Sequence, residues 1–260
     1  EQSNRELQDF AYVASHDLQE PLRKVQAFGD RLSRKYGDKL GEEGNDYIRR
    51  MRDASKRMQT LINDLLTFSR VTTKAQPFQH VDISTIANEV VSDLEVRIDE
   101  TQGRVEIGEL PSIDADPVQM RQLMQNLIGN ALKFHRPEEK PLIRVYSNDT
   151  MQFNTGSFSF NGEQMQTQGV GDRHCQIIVQ DNGIGFDEKY LDRIFTVFQR
   201  LHGRTEYEGS GVGLAVCRKI VERHGGSITA ESKPGEGAKF VISLPVAQNS
   251  KEIKPNETRL

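Results

Sequence analysis

Apolar residues recur at helical period along the first quarter of the chain. Positions 7, 10, 11, 14, 18, 22, 25, 28 and 32 form one stripe. Tyr47, Met51, Ala54, Met58, Leu61, Leu65 and Phe68 form a second, whose spacing alternates four and three as in a heptad seam. A polar, glycine-containing turn from Tyr36 to Gly44 separates them. Residues 1–76 therefore read as an antiparallel helical hairpin. A hairpin buries only one side of each stripe. Dimerisation into a four-helix bundle would cover the other side, and packing of one hairpin on the rest of the chain is the alternative.

The pattern changes at Pro77, which marks a linker. Helices are expected at Asp82–Ile98, at Pro117–Phe134 with Asp116 as N-cap, and at Leu214–His224 ahead of Gly225-Gly226. Strands are expected at Arg104–Ile107, Leu142–Tyr146, Gln176–Gln180, Ser227–Ser232 and Ala238–Leu244. Mixed helices and strands with hairpin-style neighbours predict an α+β second domain over residues 77–247, followed by a flexible polar tail over 248–260. Between Ser147 and His174 lies a stretch rich in Gly, Ser, Asn, Gln and Thr. It reads as a surface insertion, with Phe153, Phe158 and Phe160 in an extended hairpin, and no function follows from it.

Composition narrows the classes. The chain has 260 residues, 35% of them apolar and 28% charged, which suits a soluble chain with a core. The net charge of -4 argues against a general nucleic-acid binder. No apolar run is long enough to span a membrane, and the first residues carry no leader pattern. Residue 1 falls inside a helical pattern, so a preceding segment is expected, and any membrane attachment would come from it. Cys175 and Cys217 have no CxxC spacing, and the six histidines have no HxxxH or HExxH spacing. A reduced, cytoplasmic setting without a protein-built metal cage is the expectation.

Three groups of residues carry candidate chemistry. At about 100° per residue, His16 lies nearly opposite its helix's apolar stripe, with Asp17 adjacent and Glu20 and Arg23 on its face. Carboxylates beside an exposed imidazole can hold one tautomer and leave a nitrogen free to attack; an ordinary exposed histidine is the alternative. Pro21 breaks helical convention one turn later. Second, Asp181-Asn182-Gly183-Ile184-Gly185 follows an apolar strand, and Gly209-Ser210-Gly211-Val212-Gly213-Leu214 opens a helix, where backbone N–H groups favour phosphate. Neither a P-loop nor a Rossmann turn fits, because no Gly-Lys-Ser/Thr occurs and the glycines are spaced GxGxG. Third, Asn126, Asn130 and Lys133 share one face of an otherwise apolar helix. An amide oxygen suits Mg²⁺ and Lys suits phosphate; two hydrogen-bonded core asparagines are the alternative.

In this order and spacing the groups resemble the motifs of sensor histidine kinases. His16-Asp17-Leu18-Gln19-Glu20-Pro21-Leu22 is similar to the H-box, and the helix from Gln122 to Phe134 to the N-box. Asp181–Gly185, Phe195–Phe198 and Gly209–Leu214 are similar to the first glycine box, the F-box and the second glycine box. The H-box form resembles that of phytochrome-like and related bacterial kinases. The resemblance covers about residues 5–245. It implies a dimeric helical hairpin followed by a two-layer α/β sandwich of the Bergerat ATP-binding type. His16 would be the phosphoacceptor and Asp17 its general base or orienter. Asn126 would hold Mg²⁺, Asn130 and Lys133 would face the phosphates of ATP, and Asp181 would accept from the adenine amino group. Gly183 and Gly185 would allow close backbone approach. Residues 187–208 would form a lid in which Arg200 contacts the γ-phosphate, and Gly209, Gly211 and Gly213, with Leu214, would let it fold onto the triphosphate. The acceptor of the phosphoryl group would be a response regulator's receiver domain, with Val13 a candidate docking contact.

One position departs from the family pattern. Relatives with phosphatase activity carry Thr or Asn four residues after the histidine, where this chain has Glu20. Weak phosphatase activity is the expectation. Two other functions compete with an autophosphorylating kinase: a non-catalytic scaffold that only senses nucleotide, and another ATPase of the same fold, such as a chaperone or topoisomerase subunit. Intact His16, Asn126, Asp181 and glycines disfavour the first, and the upstream H-box hairpin disfavours the second.

Overall fold

The computed structural model describes the backbone over residues 2–73, 75–153, 158–160, 163–165, 173–201, 203, 206–207 and 209–247, and side chains over 18–73, 75–148 and the described residues from 173 onward. In chain order the elements are α1 (Gln2–Thr73), β1 (Gln79–Asp82), α2 (Ile83–Asp93), α3 (Glu95–Thr101), β2 (Arg104–Ile107), β3 (Ser112–Ala115), α4 (Pro117–Lys133), β4 (Leu142–Phe153), β5 (Phe158–Phe160), β6 (Glu163–Met165), β7 (Arg173–Asp181), α5 (Leu191–Ile194), α6 (Gly213–Arg223), β8 (Ser227–Lys233) and β9 (Gly237–Pro245). They divide into two compact units. The first is Glu1–Ala75 with Tyr190–Lys219, and the second is Gln76–Lys189 with Ile220–Leu260.

In the first unit α1 is two helical arms, residues 2–40 and 42–73, broken at Gly41. Gly41 has φ 63°, a left-handed conformation that only glycine adopts without strain. The Asn45 amide donates to the Gly37 and Gly41 carbonyls, at 2.8 and 2.9 Å, and so caps the first arm. The expected turn over 36–44 is thereby reduced to one residue. The arms run antiparallel. Gln19 Nε2 donates to Asn63 Oδ1 at 2.9 Å, and Arg52 pairs with Asp30 at 2.8 Å. The buried seam between them is narrow, comprising Leu22, Gly29, Ser55, Leu66 and Ser69. Most of the two apolar stripes stays outside it: Phe28 is 62% exposed and Tyr47 61%. Elsewhere in this unit, Lys219 donates to the Phe68 carbonyl at 3.0 Å and sits 4.3 Å above the Phe68 ring, where burial lowers its pKa.

The second unit is an α+β layer. Its sheet has the order β2-β4-β7-β9-β8, with β2 and β4 parallel and every other pair antiparallel. A separate antiparallel pair joins β1 to β3, and another joins β5 to β6. The last agrees with the hairpin expected around Phe158 and Phe160. Apolar periodicity explains the core: Leu123, Met124, Leu127 and Ile128 of α4 and Ile83 and Val90 of α2 are fully buried, as are Ile143, Val145, Ile177 and Ile242 of the sheet. Asp82 caps α2 by accepting from the Ser84 N–H at 2.9 Å. The helix expected over Asp82–Ile98 is interrupted at Leu94, whose N–H is shared between the Val90 and Val91 carbonyls. Among the described residues no helix is long and apolar enough to cross a membrane.

Candidate functional site

The asparagine helix and the first glycine cluster meet in the second unit. Asp116, 1% exposed, caps α4 by accepting from the Val118 and Gln119 N–H groups at 3.1 and 3.2 Å. Pro117 fills the first turn, where its missing N–H costs nothing. α4, seventeen residues long, carries Asn126, Asn130 and Lys133, all half-buried, near one face. Lys133 Nζ lies 4.0 Å above the Phe134 ring. The Phe134 carbonyl then accepts from the Ile184 N–H at 2.9 Å, which fastens the end of α4 to the glycine cluster.

Asp181 ends β7 and is largely buried. Its Oδ1 accepts from the Gly183 N–H at 2.8 Å and the Ala238 N–H at 3.2 Å. Burial raises its pKa, and the two amide bonds oppose that rise. Oδ2 has no partner among the described residues, so one oxygen is fixed while the other can accept. The glycines have a reason internal to the fold. A Cβ on Gly183 would stand 2.3 Å from the Phe134 carbonyl oxygen, and one on Gly185 (φ 58°) 2.0 Å from that of Lys233. Backbone packs against backbone at both positions, and a side chain would force the strand end apart from α4 or from the β8–β9 turn.

The F-box and second glycine cluster lie together in the first unit. Phe195 is buried, with the Arg218 guanidinium 4.5 Å from its ring. Phe198 has φ 64°, a strained conformation for a bulky side chain, and its N–H donates to the Gly211 carbonyl at 3.1 Å. Arg200 is engaged by backbone: Nη1 donates to the Gly209 carbonyl, and Nη2 donates to those of Tyr207 (2.5 Å) and Gly203 (3.3 Å). α6 opens at Gly213 and Leu214, its first turn closed by the Val216 N–H on the Val212 carbonyl at 2.9 Å. His16 and Asp17 fall within α1, but their side chains lie outside the described residues, as does Val13. One and two turns further along, Glu20 and Arg23 are exposed, in keeping with the polar face expected there. Glu20 pairs with Lys24 at 2.8 Å.

Comparison with known proteins bears on both units. Residues 115–248 match the family described as "Histidine kinase-, DNA gyrase B-, and HSP90-like ATPase". The chain belongs to that family. Residues 6–74, which contain His16, match the "His Kinase A (phospho-acceptor) domain". Together these are the domains of a histidine kinase. The phytochrome-like protein Cph1 of Synechocystis sp. is 39% identical over 95% of this chain, which spans 30% of that relative. Cyanobacterial phytochrome A of Nostoc sp. is 41% identical over 97% of the chain and 30% of the relative. The sensor protein kinase WalK of Staphylococcus saprophyticus is 30% identical over 94% of the chain and 37% of the relative. In fold the chain is similar to full-length ShkA, solved in complex with AMPPNP, with a TM-score of 0.63 and 24% identity over 93% of this chain and 46% of that one. The Acinetobacter baumannii histidine kinase AdeS gives 0.54 and 17% identity over 87% and 97%.

The ATPase domain also holds groups that sequence reasoning passed over. His224 is fully buried and follows the end of α6. Its Nδ1 donates to the Ile220 carbonyl at 2.7 Å, so Nε2 is the acceptor for the Asp116 N–H at 3.1 Å. Burial lowers its pKa and keeps it neutral. Arg223 donates to Asp116 Oδ2 (3.1 Å), Gln119 Oε1 (2.8 Å) and the Gln76 carbonyl (2.8 Å), and stacks 4.7 Å from the Phe78 ring. Asp116 Oδ2 also accepts from the Gln76 N–H at 2.8 Å. The start of this domain is thus tied to the N-cap of the asparagine helix. Asn182, inside the first glycine cluster, is structural: it accepts from the Leu142 N–H at 2.8 Å and donates to the Lys140 carbonyl at 3.1 Å. The only sequence signal for this network was the N-cap pattern Asp116-Pro117, because its other members lie 40 and more than 100 positions away.

Proposed function

We propose that this chain transfers the γ-phosphoryl group of ATP to its own His16 and passes it on to an aspartate of a response regulator's receiver domain. Asp181 carries the reading on the nucleotide side: a largely buried carboxylate with one oxygen held by two backbone amides and the other without a partner among the described residues. That free oxygen fits the amino group of adenine. Asn126 and Lys133 fit Mg²⁺ and phosphate oxygens. Asn130 shares that role, and Gly209, Gly211, Gly213 and Leu214 supply the backbone that receives the triphosphate.

Positioning and charge stabilisation dominate the chemistry assigned here. Asp17 orients the His16 imidazole or takes its proton, and a ring nitrogen forms a bond to phosphorus as the bond to the ADP oxygen breaks. The resulting P–N bond is reactive enough for onward transfer to a carboxylate. The exposed apolar stripes of the hairpin support a homodimer assembled as a four-helix bundle. Glu20, paired with Lys24, stands where related phosphatases hold an amide or hydroxyl, and we assign this site weak phosphatase activity. Rapid dephosphorylation of a cognate regulator by the wild type, abolished in Glu20→Ala, would contradict that assignment.

Adenine-nucleotide binding tests the reading. Calorimetry should show ADP binding to the wild type. It should be weakened about 10- to 100-fold in Asp181→Asn, in which Oδ1 can keep both backbone bonds while an NH₂ replaces the free acceptor. Equal ADP affinity in the two proteins would overturn the assignment of Asp181.

A further inference from the structure

Ser232 occupies a buried position on β8, as Ala230 does two residues earlier, and pairs across the strands with Ala238 of β9. A hydroxyl taken out of water costs stability unless it is bonded. This one is bonded twice. Its Oγ donates to the Gly237 carbonyl at 2.7 Å and accepts from the Phe186 N–H at 2.9 Å. Both directions are fixed, because a carbonyl cannot donate and an amide N–H cannot accept. The Gly237 carbonyl and the Ala238 N–H are the two ends of one planar peptide group. Its N–H end donates to Asp181 Oδ1 at 3.2 Å. An unbroken run of bonds thus leads from the Phe186 N–H, through the Ser232 hydroxyl and the Gly237–Ala238 peptide, to the Asp181 carboxylate. All its donors point the same way, so each bond polarises and strengthens the next. Backbone seats the same turn on the strand end. The Gly235 N–H donates to the Ile184 carbonyl at 2.7 Å, and a Cβ on Gly237 would stand 2.1 Å from the Asp181 carbonyl oxygen.

We propose that Ser232 is a positioning residue for the nucleotide base: its hydroxyl holds the Gly237–Ala238 peptide in the orientation that anchors Asp181 Oδ1, and so leaves Oδ2 aimed at the base. The effect on nucleotide rests on the role of Asp181 proposed above; the run of hydrogen bonds does not. A serine that only filled space in the β8–β9 turn would, when lost, weaken every nucleotide alike. A serine that acts through Asp181 weakens the nucleotide whose base uses that carboxylate. Adenine offers it an amino group. Hypoxanthine has a carbonyl oxygen in the same place and offers no donor there.

The test compares wild type, Ser232→Ala and Ser232→Cys by calorimetry, with ADP and inosine diphosphate as probes. The wild type should prefer ADP. In Ser232→Ala the ADP affinity should fall about 3- to 10-fold, the effect of one hydrogen bond, and that for inosine diphosphate less than about twofold. The preference between the two bases therefore narrows. Ser232→Cys, whose thiol is a weak donor, should fall between wild type and Ser232→Ala. In the nucleotide-free proteins, amide hydrogen exchange at Phe186 and Ala238 should be about tenfold faster in Ser232→Ala. Exchange in β4 and α4 should match the wild type, which separates the effect from general unfolding. An equal loss of both nucleotides in Ser232→Ala, or an unchanged ADP affinity, would overturn the positioning role. Wild-type exchange at Phe186 and Ala238 would overturn the run of bonds. A wild type that binds the two nucleotides alike would overturn the role given to Asp181 and the nucleotide half of this one, while exchange would still decide the run of bonds.

Discussion

At the scale of single residues, the firmest arrangements are those in which one polar group has all its partners. His224 is the clearest: a neutral ring, fully buried, donating through Nδ1 and accepting through Nε2. Its folded pKa lies below the ordinary 6.5 because burial disfavours the charged form. In the unfolded chain the ring takes up a proton at the ordinary value, so the unfolded state binds more protons as the pH falls below it. Stability should therefore be flat above about pH 7 and decline as the pH drops through the histidine range. Denaturant melts of the ATPase domain at stepped pH would show this, and His224→Gln should lose that portion of the acid dependence. His224→Ala leaves the buried Asp116 N–H without an acceptor and should cost about 1–3 kcal/mol. Neither the ring's neutrality nor its partners were legible beforehand, because Asp116 lies 108 positions away. The position of Asp181 at a strand end was legible, since Asp-x-Gly-x-Gly after an apolar run is a local pattern. The close fit of the glycines beside it against the protein's own carbonyls was not legible, because those carbonyls belong to Phe134 and Lys233, nearly fifty positions away on either side.

At the scale of elements, the hairpin is the best case of pattern turning into structure. Its two stripes predicted two helices and a surplus of apolar surface, and the arms bury only a narrow seam while Phe28, Tyr47, Leu18 and Met58 remain exposed. Substituting charge on that surface, as in Phe28→Glu with Tyr47→Glu, should shift the chain from twice 29.5 kDa to a single copy in light scattering while helical content is retained. A wild type that is monomeric at high concentration would contradict the dimer. The long helices and the central strands were legible because their periodicity runs over many residues. β1 and β3 were not, since each is four residues long with one or two buried side chains, and their pairing joins residues 30 or more positions apart. The break at Leu94 was hidden too, because its apolar spacing continues through the kink.

At the scale of the whole chain, a phospho-acceptor hairpin precedes an ATPase-family domain, and the order of the two follows the order of the sequence motifs. The chain spans about 30% of the length of the phytochrome relatives it matches. The reaction proposed for the chain is phosphorylation of His16 by ATP. The most direct test incubates the chain with γ-labelled ATP and Mg²⁺ and follows the label on the protein. Incorporation should be acid-labile and base-stable, as a P–N bond requires, and absent from His16→Gln. Label that survives in His16→Gln, or a wild type that binds nucleotide yet takes up none, would contradict it.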